Sequence, residues 1–397
     1  MDKGNWTYRK LGEICDFERG LTYSKNDESP IPTENSVFRS NNVDLDSKQI
    51  VLDDLKYLVP DFYIPDSKKV RPNTILICMS NGSMQHVGKV AHIEKKYGSA
   101  FGGFMGLLIP KQECLSKYLF YFLNSSTYRH FLISIANGIN ITNLKFSDLR
   151  NLNLPVPPLS IQQRIVAELD CISSILEKKR QQLKELDNLA QAIFYDMFGD
   201  PVENEKGWEV KKLGEECLEI RYGTSKPAVE NGKYGYLRMG NLTSSGHLDL
   251  SDLKTIDIPD DEIEKCIVRK GDILFNRTNS LELIGKTCMF DLEEPMVIAG
   301  YIIRVRLKST LHPRFVAVLF NLPSMKKTLR KMAKGAVNQA NINSKELASI
   351  PIILPPLSLQ QSFAAKIEAI EKQKERISQS IKEVQTLFDS RMEVYFG

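Results

Sequence analysis

"PPLSIQQ" at 157–163 and "PPLSLQQ" at 355–361 are almost one phrase written twice, 198 residues apart, and the likeness spreads outward from both. Upstream, "TNLKFSDLRNLNLPVPP" (142–158) lines up with "ANINSKELASIPIILPP" (340–356). "ILICMSNGSMQHVGKVA" (75–91) lines up with "ILFNRTNSLELIGKTC" (273–288), so that Gly88-Lys89 answers Gly285-Lys286. Further back, "FRSNNV" (38–43) answers "LRMGNL" (237–242), and "WTYRKLGEIC" (6–15) answers "WEVKKLGEEC" (208–217). Ordered matches at offsets of 197 to 202 make the 397-residue chain a tandem duplication of a unit of about 200 residues. Two copies are too few for a solenoid, which stacks at least three repeats to bury its core.

Within each copy the character changes at the double proline. Before it, short runs rich in Ile and Val ("VRPNTILICM", "VGKVAHI", "GDILFNR", "YIIRVRL") read as strands, while 115–135 and 312–333 read as helices, which together make an α+β part. After it, Ser160 and Ser358 are placed to cap a helix, with Gln163 and Gln361 three residues on to complete a capping box. No proline or glycine then occurs up to about 198 and 396, which predicts two long helices. The expected organisation is a globular part at 1–156, a helical region at 157–205, a second globular part at 206–354 and a second helical region at 355–397.

The helices keep a seven-residue period. Leu169, Leu176, Leu183, Ala190 and Met197 form one row of the first, with Ile165, Ile172, Leu186 and Ile193 beside them. The second has Ile367, Ile381 and Phe388 in one row and Phe363, Ile370, Ile377 and Val384 in the next. Such stripes must be buried, and each helix is the other's simplest partner, in an antiparallel coiled coil about 55 Å long. The alternative has each helix folding back on its own globular part. Lys179 and Lys374 interrupt the rows in adjacent layers, where a lysine sets register or partner choice.

Composition narrows the class without naming it. With 42% hydrophobic and 26% charged residues the chain is that of a soluble globular protein, and no apolar run reaches the roughly 18 residues of a membrane span. The N-terminus lacks a signal-peptide core, so a cytoplasmic location is expected. Seven scattered cysteines without a C-x-x-C pair point to reduced thiols and no metal site. A net charge of +4 permits DNA binding but does not demand it. Residues 164–198 carry five Lys/Arg against six Asp/Glu, and 362–396 carry six of each, so the surplus positive charge lies on the globular parts.

Two unlike α/β domains, each followed by P-P-L-S-x-Q-Q and a heptad helix ending in F-G, resemble the specificity (S) subunits of type I restriction-modification systems. "WEVKKLGE", "LRMGNL", "GDILFNRTNSLELIGKT", "LPPLSLQQ" and "DMFGDP" carry the resemblance, which spans essentially the whole chain. It implies a non-catalytic subunit whose two target-recognition domains each read one half of a bipartite site in double-stranded DNA, while the antiparallel helices fix the unread gap. It also implies two methyltransferase (M) subunits and restriction/translocase (R) subunits as partners, with S-adenosylmethionine, ATP and magnesium belonging to those partners and no cofactor in this chain. The two halves should differ, because "SNGSMQHVGK" and "NRTNSLELIGK" are not the same reader.

Base edges are read by Arg, Lys, Asn and Gln, and phosphates are held by Lys, Arg, Ser and Thr. In the first domain the candidates are Arg39, Asn41, Asn42, Ser80, Asn81, Gln85, His86 and Lys89. In the second they are Arg238, Asn241, Asn276, Arg277, Thr278, Asn279 and Lys286. The loops "NGIN" and "GAVNQAN" add Asn140, Asn143, Asn338, Gln339 and Asn341. For any one of these the bland reading is a turn-building Asn or a solvated Lys. Arg39/Arg238 and Asn42/Asn241 recur in both copies and so fit a structural role equally. Trp6 and Trp208 read as packing anchors, and Met197/Tyr395 with Phe198/Phe396 as closures of the helix ends or as contacts to a partner.

An enzyme would need chemistry that is hard to find. "PDFYIPDSKK" (60–69) resembles a metal-dependent nuclease motif only superficially, has no counterpart in the second copy, and lies among turn residues. There is no G-x-x-x-x-G-K-[ST] loop, and the five histidines never fall at helical metal-ligand spacing. The remaining rival is a coiled-coil scaffold with protein-binding domains.

Overall fold

The computed structural model describes residues 6–135, 143–336 and 339–397. The chain divides into two units, residues 1–178 with 381–397 and residues 179–380. Both boundaries fall inside the long helices, Leu159–Phe198 and Leu357–Phe396, each of 40 residues and about 60 Å. Each unit therefore holds one globular part and a portion of both helices.

The helices do not start as a serine capping box. They begin one residue before the serine, on the proline carbonyl: Pro158 O accepts from Ile161 N–H at 2.8 Å and Pro356 O from Leu359 N–H at 2.9 Å. The first glutamine of each pair holds the junction. Gln162 is fully buried; its Oε1 accepts the Leu115 N–H (2.8 Å) and its Nε2 donates to Glu113 O (2.9 Å) and Pro157 O (2.8 Å). Gln360 repeats the arrangement with His312 N–H (2.8 Å), Thr310 O (3.1 Å) and Pro355 O (2.8 Å). An amide carries donor and acceptor side by side, so one side chain ties the helix start to the loop that precedes a globular helix.

The two globular parts share one topology. In the first unit an antiparallel sheet runs Cys15–Arg19, Met105–Pro110, Thr74–Cys78, Val90–Ile93; in the second it runs Cys217–Tyr222, Ile302–Leu307, Ile273–Asn276, Thr287–Met289. A smaller mixed sheet accompanies each, with Ser36–Phe38 parallel to Ala100–Phe101 and Tyr234–Leu237 parallel to Met296–Ile298. The segments "VRPNTILICM", "VGKVAHI", "GDILFNR" and "YIIRVRL" all contain main-sheet strands, as their β-branched content predicts.

The regions read as single helices at 115–135 and 312–333 are each two. Ser116–Phe122 and Ser126–Ile135 are separated by a turn in which Ser125 Oγ accepts the Tyr128 N–H (3.3 Å). Pro313–Asn321 and Pro323–Met332 part at Leu322, whose extended backbone (ψ 146°) precedes Pro323. A residue before proline is pushed out of the helical region, and proline starts the next helix without needing its missing N–H.

Inside each unit the helix portions run antiparallel. In the first, Arg391 pairs with Glu168, Nη2 to Oε2 at 3.0 Å, and Tyr395 OH donates to Glu168 Oε2 at 2.5 Å. In the second, Lys374 Nζ lies 2.6 Å from Asp187 and 2.8 Å from His247 Nε2, and the Phe363 ring meets Phe194 and Phe198 edge-on. Lys374, one of the two seam lysines, is thus neutralised across the helix pair.

The seam is unevenly buried. Ile165, Leu169, Ile172, Leu176, Leu186, Phe363, Ile367 and Ile370 are buried. Leu183, Ile193, Ile377, Ile381, Val384 and Phe388 are half-buried. The helices pair with each other and also enter the globular cores, the first half of each in the core of its own copy and the second half in the core of the other. The alternative of each helix folding back on its own globular part therefore holds only for the first halves. Ile165, Leu169, Met392, Tyr395 and Phe396 join the first unit's core, and Leu186, Phe194, Phe198, Phe363 and Ile367 join the second's. Phe396 packs its ring on Tyr118 and Phe122, and Phe198 packs on Phe315. Trp208 is the anchor its position suggested, donating from Nε1 to Phe198 O at 2.8 Å.

Candidate nucleic-acid interface

In each copy a polar turn follows the strand Ser36–Phe38 or Tyr234–Leu237 of the smaller sheet, and four of the candidates turn out to build those turns. In the first unit Asn42 is fully buried under the short turn Ser40–Asn42. Its Oδ1 accepts the Arg39 N–H (2.9 Å) and its Nδ2 donates to Val51 O (3.2 Å) and Asp53 O (2.9 Å). Arg39 Nη2 is drawn onto Asp54, at 2.9 Å from the carbonyl and 3.0 Å from Oδ2. The second unit repeats this: Asn241 Oδ1 accepts Arg238 N–H (2.8 Å), its Nδ2 donates to Asp249 O (2.8 Å), and Arg238 Nη2 binds Asp252 O (3.0 Å) and Oδ2 (2.7 Å). Asn42 and Asn241 therefore correct the expectation of DNA contact, since their amides are buried and taken by backbone. Arg39 and Arg238 are neutralised locally.

Other candidates of the first unit come together. Asn41, Asn81, His86 and Lys89 line, with Ser40, Ser83 and Asp44, an open groove of about 490 Å³. Asn81 Nδ2 donates to Ser40 Oγ (2.9 Å) while its Oδ1 accepts the Ser83 N–H (2.9 Å); Asn41 Nδ2 reaches Asp54 Oδ2 (3.2 Å). Lys89 is nearly buried and donates to Val43 O at 2.7 Å; burial lowers its pKa. Burial, then the neighbouring Lys89 ammonium, also holds the His86 imidazole below its usual pKa. Gln85 is exposed on the turn Met84–His86, and Ser80 bridges in β fashion to Asn143.

In the second unit the candidates gather on a small sheet, Thr278–Asn279 with Gln339–Asn341 and Lys334–Ala336. Thr278 Oγ1 donates to Asn341 Oδ1 (2.9 Å), Asn279 Oδ1 accepts the Ser280 N–H (2.9 Å), and Gln339 is exposed. The Arg277 guanidinium lies over the Tyr222 ring, 4.7 Å from its centroid. Lys286 Nζ donates to Met239 O (3.2 Å), with burial again lowering its pKa. Asn276 is fully buried, so its side chain is out of a ligand's reach, a second correction; neither amide atom has a hydrogen-bond partner among the described residues. Asn140 and Asn338 lie outside the described residues.

Sequence reasoning missed the aromatic neighbours of these loops. Phe104 is 73% exposed and Tyr301 55% exposed. They occupy equivalent places: Phe104 O accepts the Ser80 N–H (3.2 Å), and Tyr301 O accepts the Arg277 N–H (3.0 Å). Extending the repeat alignment to "GGFMG" and "AGYII" would have exposed the pair. The nuclease-like Asp66 sits on an exposed turn, paired with Lys69 at 3.1 Å. Among the described residues no group of three His, Cys, Asp or Glu side chains could hold a metal, and no helix is long and apolar enough to cross a membrane.

The two copies of one scaffold both match one known family. The family model of the type I restriction modification DNA specificity domain matches the chain twice, over residues 3–187 and 205–386. The chain belongs to this family. Each specificity domain so defined takes in a globular part and most of the helix after it. The chain is 27% identical to the type I restriction enzyme EcoKI specificity subunit of Escherichia coli K12, over 92% of this chain and 82% of that one. It is 25% identical to the StySPI specificity subunit of Salmonella potsdam, over 97% and 86%. Among solved structures, the type I restriction-modification S subunit from M. genitalium shares the fold at a TM-score of 0.56 and 15% identity, over 99% of this chain and 96% of that one. A chain from a structural study of type I complex assembly also matches at 0.56, with 18% identity, over 99% and 97%.

Proposed function

We propose that the chain is the sequence-recognition subunit of a type I restriction-modification complex. Each specificity domain reads one half of a bipartite site in double-stranded DNA, and the paired helices set the gap and help recruit the partner subunits. The observation that supports this best is the contrast between shared scaffold and unlike loops. The turn builders Arg39/Arg238 and Asn42/Asn241 are the same in both copies, while the exposed or half-buried groups beside them differ: Asn81, Gln85 and His86 in one, Arg277, Asn279 and Gln339 in the other. Two readers on one frame are what two unlike half-sites require.

The chain itself is non-catalytic. Methyl transfer would belong to two M subunits, and cleavage to R subunits; S-adenosylmethionine, ATP and magnesium would be bound by those partners in the cytoplasm. The test is to co-express the chain with its M subunit and map methylated adenines in host DNA by single-molecule sequencing. A split motif, two unlike short halves around a fixed gap, is the expected result. An assembled complex that methylates no motif would instead favour a scaffold.

A further inference from the structure

In each specificity domain a small group of cations lies beside the candidate loops without carboxylate partners. In domain 2, Lys326 extends from the helix Pro323–Met332 to donate to Gly285 O at 2.5 Å. Lys286, the next residue, donates to Met239 O (3.2 Å), and Arg330, one turn along the helix, donates from Nη2 to Glu282 O (3.3 Å). That helix, "PSMKKTLRKM", carries no acidic residue. Among the described residues none of the three cations forms an ion pair, whereas other half-buried lysines do, such as Lys56 with Glu28 (2.6 Å) and Lys374 with Asp187 (2.6 Å). Burial, then the charges of Arg330 and Lys286, pushes the Lys326 pKa down to about 7. Cationic groups held together on neutral carbonyls disfavour one another's charge, that of Lys326 most, and each retains N–H groups that one carbonyl does not use.

Domain 1 gathers three cations at a related place but through different contacts, since Tyr128 OH, and not Arg129, donates to the equivalent carbonyl, Gly88 O, at 3.1 Å. Arg129 holds the place in the helix Ser126–Ile135 that Lys326 holds in its own, and Lys89 holds the place of Lys286. The third cation, Lys48, comes from a different loop, where it donates to Leu45 O. Lys89 donates to Val43 O (2.7 Å), and Arg129 is exposed. Asp44 and Asp46 share the loop of Lys48, but Asp44 Oδ1 accepts from the Ser47 N–H and hydroxyl, both at 2.7 Å. Among the described residues neither aspartate forms an ion pair with these cations.

We propose that Lys286, Lys326 and Arg330 in domain 2, and Lys48, Lys89 and Arg129 in domain 1, hold backbone phosphates of the DNA beside the bases each domain reads. This rests on the DNA-reading function above and adds four residues that the sequence did not single out: Lys48, Arg129, Lys326 and Arg330. A phosphodiester supplies the missing negative charge and acceptor oxygens at once. The position argues for DNA over a free anion, because Lys89 lines the same groove as Asn41, Asn81 and His86, and Lys286 closes the loop that begins at Asn276.

The experiment uses the full chain assembled with its M subunits, and duplexes that carry or lack its methylation motif, followed by fluorescence anisotropy from about 50 to 200 mM salt. Arg330→Ala and Arg129→Ala, both at exposed positions, and Lys326→Met are each expected to weaken both duplexes by the same factor. The slope of log affinity against log salt should fall by about 1 per lost cation, with the methylated motif unchanged. Arg330→Lys should restore the slope. Unchanged slope and affinity in Arg330→Ala and Arg129→Ala, with melting temperatures unaltered, would overturn the proposal, as would a changed motif. If the parent complex shows no preference for its motif duplex, the DNA-reading function itself fails, which is a different result from any of these.

Discussion

The Gln162 amide binds three backbone groups at one point, and its loss would leave the Leu115 N–H and the Glu113 and Pro157 carbonyls without that partner. Gln162→Ala is expected to destabilise the first unit by about 3 kcal/mol in urea unfolding. Gln163→Ala, at the exposed neighbour, should stay within about 0.5 kcal/mol. Equal effects would contradict the role given to the first glutamine. Asparagines divide the same way. Asn42→Ala should cost about 2 kcal/mol of stability while leaving the methylated motif intact. Gln339→Ala should leave stability alone and relax one base pair of the motif, by about 1–3 kcal/mol of discrimination. Residue type did not separate these roles, since a turn-building Asn and a base-reading Asn are the same letter. The signal that did exist was recurrence: Asn42 and Asn241 appear in both copies, as a frame residue should and a reader of unlike targets should not.

At the scale of elements, the helix pairing makes a pH-dependent claim. The Arg391 guanidinium, and secondarily the Tyr395 hydroxyl, hold the Glu168 carboxyl below the usual carboxylate range. A carboxyl whose folded pKa is lowered adds stability above its unfolded value and loses that stability as pH falls through the folded one. Arg391→Ala should therefore cost about 1 kcal/mol near neutrality, this pair being over a third exposed, and should flatten the acid limb of stability below about pH 4.5. Parallel pH profiles for parent and variant would contradict the pairing. The heptad rows made both helices legible from sequence, because a long stripe free of proline and glycine has few alternatives. Their ends near 198 and 396 were legible too, but not what covers them: Phe194, Phe198, Tyr395 and Phe396 are buried by globular residues that period alone does not reveal. The breaks at Ser125 and Leu322 were missed because strong apolar periodicity on both sides outweighed a single turn signal.

For the whole molecule, the duplication was legible because ordered matches at one offset are a long-range signal that local structure cannot imitate. The loops proposed to read DNA were legible only as groups, since specificity depends on which groups a turn presents outward. The central claim is that each specificity domain reads its own half-site independently on a shared frame. The measurement that tests it most directly replaces residues 206–354 with the corresponding part of another family member and maps methylated adenines again in cells that carry the M subunit. The account expects one half of the motif to change while the other half and the gap between them stay as they were. A motif that changes in both halves, or in neither, would contradict it.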